Sequence, residues 1–317
     1  MYHYETSVKV KGPYNFDYVL NYYNIYPWFK EEKKLCRILR LKDDSIIKAE
    51  ITSEGSIFDT TLFYSIIAHR ELPKNSIQES IEKLSWCLLL NEEYDEYYKI
   101  CKNDPVLMAA EREKRYGRGK LYPDIFEGIV GVILSQNVSF KRIYQMMKNL
   151  CLLFGNYIWI GNNKYYAFPK PENLADKSID DLKKAKVGYR AKYIKYIAKK
   201  IVDDDINLES FRLLNDEELR KRLMEFPGIG KYSANLIMRV AFNRNVYHID
   251  SYVKKIIESA YFNGHTLSIS EIEQFVQNKW GDFAHYAIDA LTTNTEVWSR
   301  KVGLEINVKS GAKGVEK

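Results

Sequence analysis

The stretch FPGIGKYSAN, residues 226–235, sets a proline and two glycines directly ahead of a run with helical spacing. DEELRKRLMEF (216–226) carries Leu219, Leu223 and Phe226 on one face, and Pro227 stops the helix that this spacing predicts. KYSANLIMRVAF (231–242) starts a second helix with Leu236, Ile237, Val240 and Ala241 facing inward. Residues 227–230 alone remain to join them, so Pro227, Gly228, Ile229 and Gly230 must form a tight hairpin, with both glycines expected at positive φ. Such a joint aims the first N–H groups of the second helix outward beside its positive dipole end, a grip for phosphate that is blind to base sequence. Lys231 adds a full positive charge at the same place. The same turn also serves as a plain helix–helix connection, and the turn alone does not choose between the two.

A second stretch bears on that choice. DLKKAKVGYRAKYIKYIAKK (181–200) holds eight Lys or Arg against one Asp, interleaved with Tyr189, Tyr193 and Tyr196. It reads either as a phosphate-neutralising surface or as a solvated lysine face on a helix. The net charge of +6 over 317 residues suits a polyanionic partner without demanding one.

The elements that must position these residues follow from the change of period along the chain. Residues 1 to about 70 alternate at period two, as in CRILRLKDDSIIKAEI, where Asp43 and Asp44 turn one strand into the next. This predicts a small antiparallel sheet. Beyond Pro73 the period becomes helical: SIQE (76–79) reads as a capping box, followed by Ile77, Ile81, Leu84 and Leu88 on one face. Helical spacing then runs to about residue 300, interrupted at NDP (103–105), LYPD (121–124), GNNKYYAFPKP (161–171) and PGIG. The expected architecture is an N-terminal α+β domain, 1–103, feeding an all-helical body, 104–300, with a frayed tail at 301–317. Cys36, Cys87, Cys101 and Cys151 lack metal-ligand spacing, so they are expected as buried free thiols, with no zinc or iron–sulfur site. No run approaches a membrane span and no leader precedes the first strand, which predicts an intracellular chain without a membrane partner.

The motif L/F-P-G-x-G-(K/R)-x-(S/T)-A-N, with Asp250 in VYHIDSYVKKI about twenty residues on, resembles the helix-hairpin-helix (HhH-GPD) DNA glycosylases. PDIFEGIVGVILSQNVSFKRI (123–143), FPKPENLA (168–175), VGYRAKYI (187–194) and WGDFAHYAIDAL (280–291) each resemble segments of the branch that holds 8-oxoguanine glycosylases and AlkA-type 3-methyladenine glycosylases. The resemblance covers about residues 84 to 300, and it implies a base-excision DNA repair enzyme acting on double-stranded DNA with a damaged base, as a monomer. It implies no cofactor, although a monovalent cation at the hairpin fits it.

By that resemblance Asp250 is the catalytic carboxylate, which steadies positive charge on the deoxyribose and orients or deprotonates water. Its place ahead of Ser251 also makes it a helix N-cap. Members that cut the strand carry a lysine where this chain has Tyr232, and a tyrosine forms no imine. This implies a monofunctional, water-based enzyme with Tyr232 lining the base pocket, and leaves Lys231, one residue out of register, to meet phosphate. Asn137 matches the void-filling residue, Tyr189 the intercalating tyrosine, and Arg142 and Arg190 the readers of an orphan cytosine, the pattern of 8-oxoguanine glycosylases. Ile288 and Thr292 replace that enzyme's base-edge glutamine and stacking phenylalanine. The implied pocket therefore favours alkylated purines, with Tyr286 and Trp280 as further candidate walls, although Trp280 in its WG setting reads first as core packing. The 8-oxoguanine reading, with or without strand cleavage, and a non-catalytic DNA-binding reading stand as alternatives; neither His248 nor His285 is expected to catalyse, and His248 is expected to position.

Overall fold

The computed structural model describes residues 1–22 and 24–306. The alternating N-terminal sequence forms β1 (Tyr2–Lys9), β2 (Trp28–Glu31), β3 (Lys34–Arg40), β4 (Ile46–Glu54) and β5 (Thr61–Ala68), with helix α1 (Phe16–Asn21) between the first two strands. All neighbours are antiparallel, in the spatial order β1-β5-β4-β3-β2. The expected turn at Asp43 and Asp44 is present: Asp43 Oδ1 accepts from Ser45 N at 2.9 Å, and Asp44 takes a φ of 62°. Leu35, Ile47, Ala49, Ile51, Leu62 and Ile66 are buried on the sheet and pack with Leu84 and Leu88 at the end of α2 (Lys74–Cys87).

The capping box at SIQE does not form. Helix α2 begins at Lys74 after Pro73, so Ser76 lies in its first turn. The Ser76 hydroxyl donates to Asp43 Oδ2 at 3.0 Å, and Glu79 accepts from Lys42 N at 3.1 Å. Both side chains are drawn to the β3–β4 turn, a tertiary demand that local spacing does not carry.

The helical body runs through α3 (Asp95–Lys102), α4 (Pro105–Lys114), α5 (Ile125–Ser135), α6 (Phe140–Phe154), α7 (Pro171–Ala175), α8 (Ile179–Lys183), α9 (Arg190–Asp203), α10 (Asp216–Met224), α11 (Lys231–Phe242), α12 (Ser251–Tyr261), α13 (Ile269–Trp280), α14 (Ala284–Thr292) and α15 (Thr295–Lys301). The interruptions at NDP and LYPD are helix starts, with Asp104 and Asp124 as side-chain N-caps of α4 and α5. GNNKYYAFPKP instead contains half of an antiparallel hairpin, β6 (Tyr157–Ile160) with β7 (Asn163–Tyr166). At four residues each, these strands are too short for alternation to register. Packing also continues past residue 300, where Ile306 is buried; the rest of the expected tail, 307–317, lies outside the described residues. No helix among the described residues is long and apolar enough to cross a membrane.

The body holds two cores. One centres on α5, buried from Ile125 through Leu134, with α6, α9, α10 and α11 around it; the other joins α3 and α4 to α12, α13 and α14. The α10–α11 hairpin belongs to the first and α12 to the second, so residues 243–250 carry the chain from one core to the other. Cys36, Cys87, Cys101 and Cys151 are buried free thiols.

The sheet domain is fastened to α5 by a buried ion pair: Arg37 Nη2 meets both oxygens of Glu127, at 2.6 and 2.7 Å, with side chains 1% and 3% exposed. Burial pushes the Glu127 carboxyl upward, opposed by the guanidinium. Breaking one partner strands the other charge, so Glu127→Gln is expected to cost about 3–5 kcal/mol in urea denaturation, whereas the double replacement Arg37→Met with Glu127→Met costs less than either single change.

Candidate active site and nucleic-acid interface

The hairpin forms because each helix end is written locally. Asn215 and Glu218 make a capping box at the start of α10, acids fill its first turn, and Lys221 and Arg222 fill its last. Leu219, Leu223, Phe226 and Ile229 bury on one side and pin the joint to the first core. Gly228 takes a φ of 83°, and a Cβ there would come within 2.8 Å of the Tyr193 ring, so a side chain is excluded twice. Gly230 departs from expectation. Its φ is −93°, an extended conformation open to any residue, and apart from its chain neighbours no atom of the described residues lies within 4 Å of the Cβ it lacks. Its bareness leaves the outer face of the turn free for close approach by another molecule.

Gly230 is the N-cap of α11 and offers no side chain, and the first intrahelical bond runs from Ala234 N to Gly230 O at 2.9 Å. The amides of Lys231, Tyr232 and Ser233 are therefore left uncapped at the positive end of the helix. Lys231 is exposed, and among the described residues it has no ion pair. The outward row of donors expected at this turn is present.

Three loops meet here. Gln136 Nε2 donates to Gly228 O at 3.0 Å and to Ser233 Oγ at 3.3 Å, Arg190 donates to the Gln136 carbonyl, and Arg142 Nη2 donates to Lys186 O at 3.0 Å. These bonds bring Asn137, Arg142, Tyr189 and Arg190 together beside the hairpin. Asn137 is exposed with a φ of 55°, and Tyr189 is 52% exposed with the Arg190 guanidinium 4.5 Å from its ring centre. Arg190 itself is only 6% exposed, so it braces the loops rather than reaching outward. Gln136, adjacent to the singled-out Asn137, is the residue that sequence reasoning passed over; a polar side chain at a helix end followed by a loop is its only signal.

The basic segment is less bare than its composition. Lys183, Lys184, Lys199 and Lys200 pair with Asp180, Asp181, Asp203 and Asp204, and Lys195 donates to the Lys177 carbonyl. Lys186 and Lys192 remain for an outside phosphate on this face, the latter over the Tyr193 ring at 4.8 Å.

Asp250 caps α12 through one oxygen: Oδ1 accepts from Tyr252 N at 2.9 Å and from Val253 N at 2.8 Å. The residue is exposed, and among the described residues Oδ2 has no partner. Tyr232 lies close enough that its phenol is held protonated, by burial first and by the Asp250 charge second. Its ring stands edge-on to His248 at 4.4 Å, which gives that exposed histidine a positioning place. Tyr252 reaches Thr295 Oγ1 at 2.9 Å, and α12 packs on α14, where Ile288 is buried and Thr292 half-buried with its hydroxyl turned to the Ile288 carbonyl at 2.8 Å.

The candidate wall Tyr286 is corrected, and Trp280 takes the core place that its WG setting suggests. Tyr286 is 5% exposed, its hydroxyl donates to Glu92 Oε2 at 2.5 Å and its ring meets Tyr94 at 4.7 Å; the chain's second core claims it. Trp280 is 1% exposed among Tyr261 and Phe275. His285 is buried too, its imidazole pushed down to about 2 by burial and by Arg239, so it stays neutral. A cavity of about 1040 Å³ between β3, α2 and the start of α5 contains none of the site residues above. Among the described residues Glu31, Cys36 and Glu50 converge as metal ligands would, but the Lys48 ammonium sits between the carboxylates at 2.5 and 2.9 Å, and the thiol is pushed up to about 12. That cluster is already neutralised and does not fit a metal.

Gly228 and Gly230 separate scaffold from interface. Gly228→Ala is expected to destabilise the fold by more than about 1 kcal/mol. Gly230→Ala stays within about 1 kcal/mol of the parent in thermal unfolding, yet loses about tenfold in affinity for a duplex carrying an abasic-site mimic.

Residues 130–282 match the family model described as HhH-GPD superfamily base excision DNA repair protein. A DNA-3-methyladenine glycosylase of Bacillus subtilis is 28% identical over 151 residues, 47% of this chain and 50% of that one, so the chain spans about half the length of this relative. A protein of Methanothermobacter thermautotrophicus named "Probable N-glycosylase/DNA lyase" is 22% identical over 280 residues, 82% of this chain and 86% of its own. Among solved structures, that of MBOgg1 in complex with a low affinity DNA ligand superposes with a TM-score of 0.72 at 25% identity, covering 96% of this chain and all of the other.

Proposed function

The chain belongs to the HhH-GPD superfamily of base excision DNA repair proteins, and from that premise we propose that it is a monofunctional DNA glycosylase that removes a damaged purine with water as the nucleophile. The observation that carries this reading is the pairing of Asp250 with Tyr232. One carboxylate oxygen is fixed by two backbone amides, which sets the direction of the other; that free oxygen faces solvent near a phenol that stays protonated. A purine leaving its sugar puts positive charge on the ring, and a fixed carboxylate stabilises that charge more than it stabilises the bound substrate. The same oxygen orients the attacking water.

DNA is the partner that the hairpin suits. The uncapped amides of α11, the bare Gly230 and Lys231 hold backbone phosphate, while Asn137 and Tyr189 reach toward the helix that the base leaves. Tyr232, Ile288 and Thr292 are assigned to the base pocket, where a tyrosine face favours an alkylated, positively charged purine. Arg142 and Arg190 hold loop carbonyls, so opposite-base reading falls to Arg142, the exposed one of the two.

A second reading is favoured by the name of the Methanothermobacter relative, which includes lyase activity. In this chain strand cleavage needs an amine at the sugar, and position 232 offers none.

The test uses duplexes carrying 3-methyladenine, hypoxanthine or 8-oxoguanine, each split with and without alkali, and borohydride added during turnover. Alkali-dependent cleavage without a trapped adduct is expected; a borohydride-stable protein–DNA adduct overturns the water mechanism, and bound but unbroken DNA overturns catalysis. Asp250→Asn keeps its cap and its melting temperature, because Asn caps as well as Asp, and loses excision by about 10²–10³-fold.

A further inference from the structure

Lys120 lies on the segment between α4 and α5, and two backbone bonds fix that segment: Leu121 N to Cys87 O at 2.8 Å and Tyr122 N to Val240 O at 2.9 Å. Val240 is two turns along α11 from Tyr232, with Leu236 between them on the same face, a span of about 12 Å of helix. Lys120 thus leaves the backbone beside the inner half of the helix whose outer end carries the hairpin. Its amine crosses to the N-terminal domain and donates to the carbonyl of Tyr22, just past α1.

Tyr22 stacks on Tyr18 with ring centres 4.3 Å apart. The Tyr18 hydroxyl is buried near Thr293 and Asp289 at the end of α14. Thr293 follows Thr292, already assigned to the base pocket. The amine therefore reaches a segment that lies, through Tyr18, against the end of α14, the helix that carries Ile288 and Thr292.

We propose that Lys120 is a specificity-determining residue of the base pocket, donating a hydrogen bond to a carbonyl oxygen on the edge of a flipped neutral purine. This rests on the proposed glycosylase function and extends its substrate class from alkylated purines to oxo-purines. An amine has three hydrogen-bond sites, and among the described residues one is used, on a main-chain carbonyl. No carboxylate of the described residues pairs with it, and burial alone pushes the amine down to about 7. A buried amine without a counter-ion is costly to keep, and an acceptor on the substrate gives it the missing partner. A site built to bond such an oxygen discriminates strongly against a purine that lacks it.

The experiment measures kcat/KM for hypoxanthine and for 3-methyladenine duplexes with the full chain, Lys120→Met and Lys120→Arg. The expected result is that Lys120→Met lowers the hypoxanthine value at least tenfold more than the 3-methyladenine value, and that Lys120→Arg, which keeps a donor, restores part of the ratio. A parallel fall on both duplexes means that the amine only ties Tyr22 in place, and overturns the inference, as does no change in either. A parent chain that excises neither base overturns the proposed function, and this inference with it; an active parent with an unchanged ratio overturns this inference alone.

Discussion

Everything at the site depends on the division of labour between the two oxygens of Asp250. Oδ1 is committed to the amides of Tyr252 and Val253, and that commitment makes the direction of Oδ2 a property of helix α12 rather than of a free rotamer. A carboxylate held this way costs no reorganisation when charge appears in front of it, which is the condition for electrostatic preorganisation. In the proposed mechanism the cap and the catalyst are the same bond network, so structural and functional readings of this residue are complementary.

The rest of the fold brings the uncapped amides of the hairpin to that carboxylate. Two cores meet at residues 243–250, one carrying the α10–α11 hairpin and the other α12, and their packing sets Tyr232 beside Asp250. Gln136, Arg190 and Arg142 knit the surrounding loops through main-chain carbonyls, so the exposed Asn137 and Tyr189 project from a braced surface. Farther back, the Arg37–Glu127 pair fastens the sheet domain to α5. In the same domain Tyr22 accepts from Lys120 on the body, and Tyr18 lies near Thr293 at the end of α14.

Much of this was legible in the sequence where a local rule decides the outcome. Period two gave the strands, the breaks at NDP and LYPD gave helix boundaries, and FPGIGK gave the hairpin with its bare amides. Reading failed where a tertiary partner outbid the local one. Ser76 and Glu79 left their capping box for the β3–β4 turn, and Tyr286, an aromatic residue near the site in sequence, was claimed by the second core. Gly230 was expected at positive φ because glycine permits it, yet it is extended, and what the turn uses is its missing side chain. Arg190 shows the same limit from the other side: its type suggests an outward reader, and only the fold reveals a carbonyl waiting beneath it.

The most direct measurement is the affinity of the chain for two duplexes that differ only at the abasic position, one with a neutral tetrahydrofuran and one with a cationic pyrrolidine in place of the sugar. If a fixed carboxylate steadies a sugar cation, the cationic duplex binds about 100-fold more tightly, ~2.7 kcal/mol, and the preference disappears in Asp250→Asn. Equal affinity for the two duplexes, or a preference that survives that substitution, contradicts the account.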